Sequence, residues 1–210
     1  MLFIDYKKAF DTIDSNLLLL KLFHYGFSNS ALRLVSDYFV DRSQKTKLNG
    51  ITSPPNKLNL GVAQGSVLGP LFFLIFINDL PYLLKQVMCK LFADDTSLYK
   101  SNKDIDELIK DFNKSIQPLS EWCTFNRLDI NWSKTFCMFI TNKNIKKPKE
   151  LLINGKTVKV VEDFKLLGVN LDSKLTFAKH TSMICLQINK KLFSIKRLFY
   201  LATSVKVQFF

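Results

Sequence analysis

The chain has 210 residues, a length that suits one domain or one domain with part of a second. Apolar residues make up 47% of it, including 19 phenylalanines, so the chain can bury a sizeable core and a disordered chain is excluded. The formal net charge of +12 favours an anionic partner, either nucleic acid or a membrane surface.

The cysteines and histidines indicate neither a zinc site nor a disulfide framework. The cysteines are widely spaced and form no C-x-x-C pair, which fits a reducing compartment. We expect them to be core residues, and we expect the two histidines to pack or to lie at the surface. These residues are Cys89, Cys123, Cys137, Cys185, His24 and His180.

The first residues predict a buried strand. Leu2, Phe3 and Ile4 are consecutive and apolar, the pattern of a strand covered on both faces. Because a central strand beginning at residue 2 needs neighbours, we expect the chain to be an interior piece of a larger protein. No secretory signal opens it, and we expect an intracellular protein of the cytoplasm and nucleus, not secreted and without a transmembrane segment.

Two helices and a hairpin follow. "SNLLLLKLFHYG", residues 15–26, predicts a helix stopped by Gly26, and "SNSALRLVSDYFVDRS", residues 28–43, predicts a second helix capped by Ser28 or Asn29. Asn49-Gly50 is a hairpin turn signal. The glycine-bounded loop "GVAQGS", residues 61–66, then leads into an apolar run, residues 67–77, that is too short to cross a bilayer and predicts a buried helix.

The second half of the chain mixes strands with helices. Two strands flank Asp94-Asp95, and residues 103–127 have helical apolar spacing with a kink expected at Pro118. "LDIN" (128–131) and "TFCMFIT" (135–141) predict strands, and Asn154-Gly155 predicts a second hairpin. A Lys-rich amphipathic helix is expected from Phe177. Without regular βαβ alternation, this order favours an α+β fold.

Acidic residues follow two apolar strands. Asp5 ends the first strand, and Asp94 and Asp95 follow "KLFA". If the strands are neighbours, the carboxylates meet and can bind hard divalent cations, two of which, about 3.5–4 Å apart, serve phosphoryl transfer. Because side chains alternate along a strand, we rank Asp5 and Asp94 above Asp95. A polar turn is the simpler alternative for the pair alone, and helix capping is the simpler role for Asp11 or Asp14.

Five motifs together resemble those of reverse transcriptases, especially the non-long-terminal-repeat, jockey-like retrotransposon enzymes. In order they are "FIDYKKAFD", "GVAQGSVLGPLFFLIFINDL", "FADD", "LDINWSKT" and "FKLLGVNLD". The resemblance runs from residue 2 to about 172 and implies a right-hand polymerase palm, with an RNA-recognition-like antiparallel sheet backed by helices. It implies palm and partial fingers over residues 1–172 and the start of a thumb over 173–210.

The resemblance also implies a chemistry. Asp5, Asp94 and Asp95 would be catalytic carboxylates that bind two Mg²⁺ ions, with Mn²⁺ as a substitute. Lys134 would be a proton donor to pyrophosphate. The implied partners are an RNA template, a DNA primer and a deoxynucleoside triphosphate, with no membrane. The full-length protein would add fingers and an endonuclease as parts of a retrotransposon polyprotein.

The resemblance assigns further residues to the nucleotide and the primer. Phe10 would be a steric gate against a ribonucleotide 2′-hydroxyl. A lone phenylalanine is more often an ordinary core residue, and the offset of Phe10 from Asp5 is the main argument against that role. Gln64 and Gly65 would form the loop beside the sugar and templating base. The segment beneath the triphosphate, with exposed backbone N–H groups, would be Tyr6, Lys7, Lys8 and Ala9. The primer-gripping hairpin would be Phe164, Lys165, Leu166, Leu167 and Gly168.

Three other functions stay open on the sequence. A non-catalytic nucleic-acid-binding remnant of a palm would keep the charge and lose the costly acids, which are intact here. A different two-metal enzyme, such as a nuclease or nucleotidyl cyclase, would need neither "GVAQGS" nor Phe10. A membrane-surface protein would use the Lys-rich tail. We expect a polymerase fragment with reduced or no activity, because nothing precedes the first motif.

Overall fold

The structure, a computed structural model, describes residues 1–198. Its helices, beside a 3-10 turn at Ala9–Asp11, are α1 (Ser15–His24), α2 (Asn29–Phe39), α3 (Leu68–Ile77), α4 (Leu80–Leu83), α5 (Ile105–Ser115), α6 (Gln117–Phe125) and α7 (Ala178–Leu198). Its strands are β1 (Leu2–Ile4), β2 (Ser43–Gln44), β3 (Lys47–Leu48), β4 (Ile51–Thr52), β5 (Asn56–Lys57), β6 (Met88–Phe92), β7 (Asp95–Tyr99), β8 (Phe136–Cys137), β9 (Glu150–Ile153), β10 (Lys156–Val160), β11 (Asp163–Leu166) and β12 (Val169–Asp172). The predicted α+β class is confirmed.

The described chain forms two compact units. The first unit contains residues 1–137 and 149–159, and the second contains residues 138–148 and the chain from residue 160 onwards. The hairpin of β11 and β12 therefore belongs to the same unit as α7. A boundary between residues 172 and 173 stays a prediction.

A six-stranded sheet organises the first unit. Its strand order is β6-β7-β1-β8-β10-β9, and β1 pairs antiparallel with both β7 and β8. All three residues of β1 are buried, which confirms the predicted central strand. Three apolar residues in a row suit this position because both faces of a central strand are covered.

The strand before Asp94 lies at the edge of this sheet. In β6, Met88 and Phe92 are 55% and 64% exposed, so the apolar run before Asp94 does not form a buried strand. β6 has a partner only in β7 within the described sheet, and its apolar side chains therefore stay partly in solvent. The buried strand is β7, in which Thr96, Ser97 and Leu98 are covered.

The helix ends follow their capping residues. The Asp14 carboxylate accepts hydrogen bonds from the backbone N–H groups of Asn16 and Leu17, at 2.9 and 3.2 Å, so the predicted capping role is confirmed for Asp14. Ser28 caps α2 in the same way. The expected kink becomes a break, because α5 ends before Ile116 and α6 begins with Pro118 in its first turn.

Three predicted elements differ from the structure, and one of them is the strand predicted over residues 135–141, which is reduced to β8 at Phe136–Cys137. α3 is buried only on the side that includes Phe73 and Phe76, while Leu71 and Leu74 are about half exposed, since α3 packs against α1 on one side. "LDIN" forms only an isolated bridge, between Ile130 and Tyr6, instead of a strand. Both Asn-Gly hairpins are confirmed, as β3–β4 and as β9–β10.

A buried cation joins three helices of the first unit. The Lys21 ammonium of α1 lies 2.8 Å from the Asp79 carboxylate, which also accepts a hydrogen bond of 3.0 Å from the Trp122 indole of α6. Lys21 also donates to the Phe76 carbonyl of α3 at 2.5 Å. Burial lowers the pKa of Lys21, and the hydrogen bond and charge of Asp79 oppose that shift.

In the second unit, α7 packs against β12. Asp172 at the end of β12 accepts hydrogen bonds from the backbone N–H groups of Lys174, Thr176 and Phe177, which leads the chain into the helix. The predicted Lys-rich helix is confirmed as far as Leu198, and its remaining residues lie outside the described range.

Glu162 makes the second unit sensitive to acid. Hydrogen bonds from Ser173 and Lys147 lower the pKa of Glu162 below its ordinary value of 4.5. Its ionised form therefore stabilises the fold above that value, and the contribution is lost as the pH falls through the lower, folded value. We expect Glu162→Gln to lower the stability at pH 7 by less than about 1 kcal/mol, because the Glu162 side chain is 67% exposed and solvent screens its charge. Thermal unfolding of both proteins between pH 7 and pH 3 should show this gap closing with acid, and an equal gap at every pH would contradict it.

The thiols differ in exposure. Cys123 and Cys137 are buried, Cys89 is half-buried and Cys185 is exposed, so the expectation that all four are core residues is wrong for Cys185. It lies on α7, the apolar side chains of which are largely exposed. Burial raises the pKa of Cys89 to about 11 and that of Cys123 to about 12.

Candidate active site

The pairing of β1 with β7 brings the acidic motifs to one edge of the sheet. Ile4 lies opposite Thr96 in this antiparallel pair. Continued by one step, the same register would set Asp5 opposite Asp95, and Asp94 precedes Asp95 in the chain. Residues directly opposite each other on antiparallel strands have Cβ atoms about 4.5–5.5 Å apart and face the same side. The first acid and the later pair therefore lie at the same sheet edge, although Asp5 and Asp94 are 89 positions apart along the chain.

A tight turn holds the acidic pair. Phe92 pairs with Asp95, which leaves Ala93 and Asp94 as a two-residue connection between β6 and β7. Ala93 has a φ of +50°, a left-handed conformation that costs a non-glycine residue about 1–2 kcal/mol. This conformation twists the chain just before the pair, so Asp94 is freed from the strict alternation of a strand.

The three carboxylates repel one another. Partial burial, followed by the charges of Asp94 and Asp5, raises the pKa of Asp95. None of the three has a basic side chain within 4.0 Å among residues 1–198. The described residues also contain no group of three or more acidic, histidine or cysteine side chains already arranged around a metal position. The edge is thus an uncompensated cluster of oxygen ligands rather than a closed cage.

Asn131 binds Asp5 twice. Its backbone N–H donates to the Asp5 carbonyl at 2.7 Å, and its side-chain amide donates to the Asp5 carboxylate at 3.0 Å. The bridge between Tyr6 and Ile130 brings these residues together across 126 positions of the sequence. Sequence reasoning missed Asn131, and the only available signal was its place in "LDINWSKT", three positions before Lys134.

The segment after Asp5 is only partly open. The side chains of Tyr6 and Ala9 are buried, at 3% exposure each, while Lys7 and Lys8 are exposed. The Lys7 backbone N–H donates to the Asp129 carbonyl at 2.8 Å, so the expectation of an available N–H is wrong for Lys7. Lys8 has a φ of +49°, which turns the chain into the 3-10 segment that carries Phe10.

Phe10 has a fixed position at the surface of the core. Its ring stacks on the ring of Phe73 with 4.5 Å between centroids and a tilt of 29°. The residue is half-buried, so it is neither a fully covered core residue nor a free side chain. An aromatic ring held in this way can act as a rigid steric barrier.

The "GVAQGS" loop lies directly against the Phe10 segment. The Val62 backbone N–H donates to the Phe10 carbonyl at 2.9 Å, and the Gln64 amide donates to the Asp11 carboxylate at 2.9 Å. Tyr38 of α2 holds the loop from the other side, through the Ala63 N–H at 3.1 Å and the Ser66 hydroxyl at 2.8 Å. The structure therefore brings the predicted loop and the predicted gate together.

The two loop glycines differ in a testable way. A Cβ on Gly61 would lie 2.7 Å from the Asp11 backbone, whereas a Cβ on Gly65 would meet nothing within 4 Å, and both residues have φ near +80°. We expect Gly65→Ala to cost about 1 kcal/mol of stability from its backbone conformation alone. Gly61→Ala should cost about 2–3 kcal/mol, because the loop must also move away from the Asp11 backbone. Chemical denaturation of both variants would test this, and equal losses would contradict it.

For two predicted functional groups, the structure shows, within the described range 1–198, no side-chain contact with the acidic residues. Lys134 is exposed, and its backbone N–H donates to the Asn131 carbonyl at 3.0 Å, while its ammonium has no carboxylate within 4.0 Å among residues 1–198. The predicted primer-gripping residues form the β11–β12 hairpin of the second unit, with a turn at Leu167 and Gly168. Leu167 has a φ of +48° and is 51% exposed. The roles of Lys134 and of this hairpin stay predictions.

Comparison with known proteins gives a family match over most of the chain. The family described as "Reverse transcriptase (RNA-dependent DNA polymerase)" matches residues 1–171. The "RNA-directed DNA polymerase from mobile element jockey" of Drosophila melanogaster is 27% identical over an alignment of 197 residues, and the match covers 87% of this chain and 20% of that protein. The "Probable RNA-directed DNA polymerase from transposon X-element" of the same species is 32% identical, over 90% of this chain and 21% of that protein.

The chain spans about a fifth of the length of these curated relatives. Among solved structures, it is similar to a telomerase from Candida Tropicalis in complex with a fragment of telomeric RNA, with a TM-score of 0.52 and 14% identity. The match covers 84% of this chain and 28% of the telomerase chain. At this identity the similarity concerns the fold alone.

Proposed function

Because the chain belongs to the reverse transcriptase (RNA-dependent DNA polymerase) family and has a polymerase palm fold, we propose that it forms the catalytic palm of a retrotransposon RNA-directed DNA polymerase. The observation that carries this proposal is the antiparallel pairing of β1 with β7, which brings Asp5 to the same sheet edge as Asp94 and Asp95. The complete polymerase would extend a DNA primer on an RNA template with deoxynucleoside triphosphates.

The acidic edge fits divalent cations by its chemistry. It offers oxygen ligands, which Mg²⁺ prefers, and its charge is not neutralised by a basic side chain within residues 1–198. Mg²⁺ in such enzymes is held by one or two carboxylates together with substrate phosphates, so a closed cage of protein ligands is not needed. Asp5, Asp94 and Asp95 would hold two Mg²⁺ ions, or Mn²⁺ in their place. When bound, these ions would activate the attacking primer hydroxyl and stabilise the leaving pyrophosphate.

The residues around this edge would select and orient the nucleotide. The Phe10 ring, held against Phe73, would exclude a ribose 2′-hydroxyl. Gln64, oriented by Asp11, and Gly65 would support the sugar and the templating base. Lys8, whose backbone N–H makes no hydrogen bond to another backbone group within residues 1–198, and the adjacent Ala9 would face the triphosphate.

The remaining assignments extend the same proposal. Lys134 would donate a proton to the departing pyrophosphate, as its exposure allows. The hairpin from Phe164 to Gly168 would contact the primer, and residues 173–210 would begin a thumb. The rest of a retrotransposon polyprotein, including the fingers and an endonuclease, would complete the protein. No helix among residues 1–198 is long and apolar enough to span a membrane.

Nucleotide selection tests the proposal directly. A fluorescent deoxynucleotide and its ribonucleotide analogue are titrated onto the 210-residue chain with an RNA-template/DNA-primer duplex and Mg²⁺. We expect the deoxynucleotide to bind more tightly than the ribonucleotide. We expect Phe10→Val to lower the ratio of the two affinities about tenfold, because a gate residue discriminates by steric exclusion. Phe23→Val, at a phenylalanine 59% exposed elsewhere on the first unit, is the matched control and should leave the ratio unchanged. Absence of Mg²⁺-dependent nucleotide binding would overturn the proposal.

Primer extension by this chain alone should be weak. The proposed palm spans a fifth of its relatives, so groups that would clamp the triphosphate and the duplex are expected in the remaining sequence. Duplex binding should persist and should fall steeply as the salt concentration rises, since 30 basic residues outnumber 18 acidic ones. Extension at a rate near that of a full-length relative would contradict the expectation of reduced activity.

A further inference from the structure

Asn131 uses every polar group it has. Its backbone N–H and its side-chain amide both donate to Asp5, as described above. Its backbone carbonyl accepts from the Lys134 N–H and the Thr135 hydroxyl, both at 3.0 Å. Its side-chain oxygen accepts a hydrogen bond of 2.7 Å from the Ser133 hydroxyl. The backbone contacts shape the turn, whereas the side chain links Ser133 to Asp5.

The direction of this link is fixed by chemistry. An ionised carboxylate only accepts hydrogen bonds, so the Asn131 side chain must present its N–H group to Asp5 and its oxygen to Ser133. The contact is a charge-assisted hydrogen bond to one carboxylate oxygen, Oδ2. The other oxygen of Asp5 has no hydrogen-bond partner within residues 1–198 and stays open for another ligand.

On this basis we propose that Asn131 is a positioning residue, which holds Asp5 in the orientation required to bind a divalent cation. The inference rests on the proposed function. Asp5 experiences repulsion from Asp95 across the strand pair, and a carboxylate free to rotate would turn away from it. A neutral amide restrains Asp5 without neutralising its charge, whereas a lysine or arginine at this position would compete with the cation.

Binding of Mn²⁺ to the 210-residue chain, measured from the electron paramagnetic resonance signal of the free ion, tests this role apart from activity. We expect Asn131→Leu, which keeps the size and removes the donor, to weaken Mn²⁺ binding about 10–100-fold, the range observed when partners of metal ligands are removed. Asn131→Gln, which keeps the amide, should recover part of the affinity. Ser133→Ala should weaken binding only a few-fold, because the carboxylate still attracts the amide.

A matched control separates positioning from general packing. Asn113 on α5 is also half-buried and donates its side-chain amide to the Leu152 carbonyl at 3.0 Å. Asn113→Leu should leave Mn²⁺ affinity unchanged even where it lowers the melting temperature. Circular dichroism without metal identifies which variants are folded. If Asn131→Leu is not folded, the Mn²⁺ affinities of Ser133→Ala and Asn131→Gln are used instead.

The outcomes distinguish this inference from the proposed function. If the wild-type chain binds Mn²⁺ no better than Asp5→Asn, the metal site is wrong and the inference falls with it. If Asp5→Asn loses Mn²⁺ binding while folded Asn131→Leu keeps the wild-type affinity within twofold, only the positioning role is overturned. Where Asn131→Leu does not fold, wild-type affinity within twofold in both Ser133→Ala and Asn131→Gln has the same meaning. Graded loss in the order Ser133→Ala, Asn131→Leu, Asp5→Asn supports it.

Discussion

Replacing Asp94 with asparagine is expected to weaken Mn²⁺ binding by at least about 100-fold, because loss of a ligand costs no less than loss of its hydrogen-bond partner. The same change should slightly stabilise the metal-free chain. Asp94 raises the pKa of Asp95 by charge repulsion, and asparagine removes that repulsion without changing the shape of the side chain at position 94. We therefore expect a melting temperature equal to or above that of the wild type in chelator, and below it in millimolar Mn²⁺.

Asp37→Asn is the matched control for this variant. Asp37 is exposed on α2, and its replacement by asparagine changes the net charge by the same amount as Asp94→Asn. It should leave both Mn²⁺ affinity and the effect of chelator unchanged. Wild-type affinity in Asp94→Asn would contradict the catalytic proposal and favour a palm remnant that binds nucleic acid without catalysis.

The second large effect is expected at the buried Lys21. Asp79→Ala leaves the Lys21 ammonium, with its side chain 11% exposed, without its carboxylate, and removes the acceptor of the Trp122 indole. Removing one partner of a buried ion pair costs about 3–5 kcal/mol, and the 43% exposure of the Asp79 side chain favours the lower end. For a chain of this size, about 3 kcal/mol corresponds to a fall of about 6–12 °C in melting temperature.

A double variant shows whether the unpaired charge is the cause. Lys21→Met combined with Asp79→Asn removes both charges, keeps an oxygen acceptor for Trp122, and replaces the lysine stem with an apolar side chain of similar length. It should unfold within about 1 kcal/mol of the wild type. A loss as large as that of Asp79→Ala would mean that the charge pair itself, rather than the unpaired charge, is decisive.

The local sequence pattern was enough to predict many elements of the first unit. Three apolar residues identified β1, both Asn-Gly pairs formed their hairpins, and Pro118 separated α5 from α6. Each of these features depends on neighbours a few residues away. The acids at the strand ends were found for the same reason, because each follows an apolar run directly.

Sheet order and long-range contacts did not follow from local pattern. The strand beside β1 is β7 and not β6, and the charge of Asp5 acts on Asp95, the acid ranked below Asp94 on the sequence. Which strand lies at an edge depends on the whole sheet, and the exposure of Phe92 could not be read from an apolar run. Asn131 escaped notice because an amide next to a carboxylate 126 residues away leaves no periodic signal.

Because the four thiols differ in solvent exposure, the protein has one accessible site for covalent labelling with a probe. A maleimide dye needs an accessible sulfur, and only Cys185 is exposed, while burial disfavours the reactive thiolates of Cys89 and Cys123. Brief labelling at neutral pH should therefore modify α7 selectively in the folded chain. A fluorophore there would report on contacts made by the lysine-rich helix without any engineered substitution.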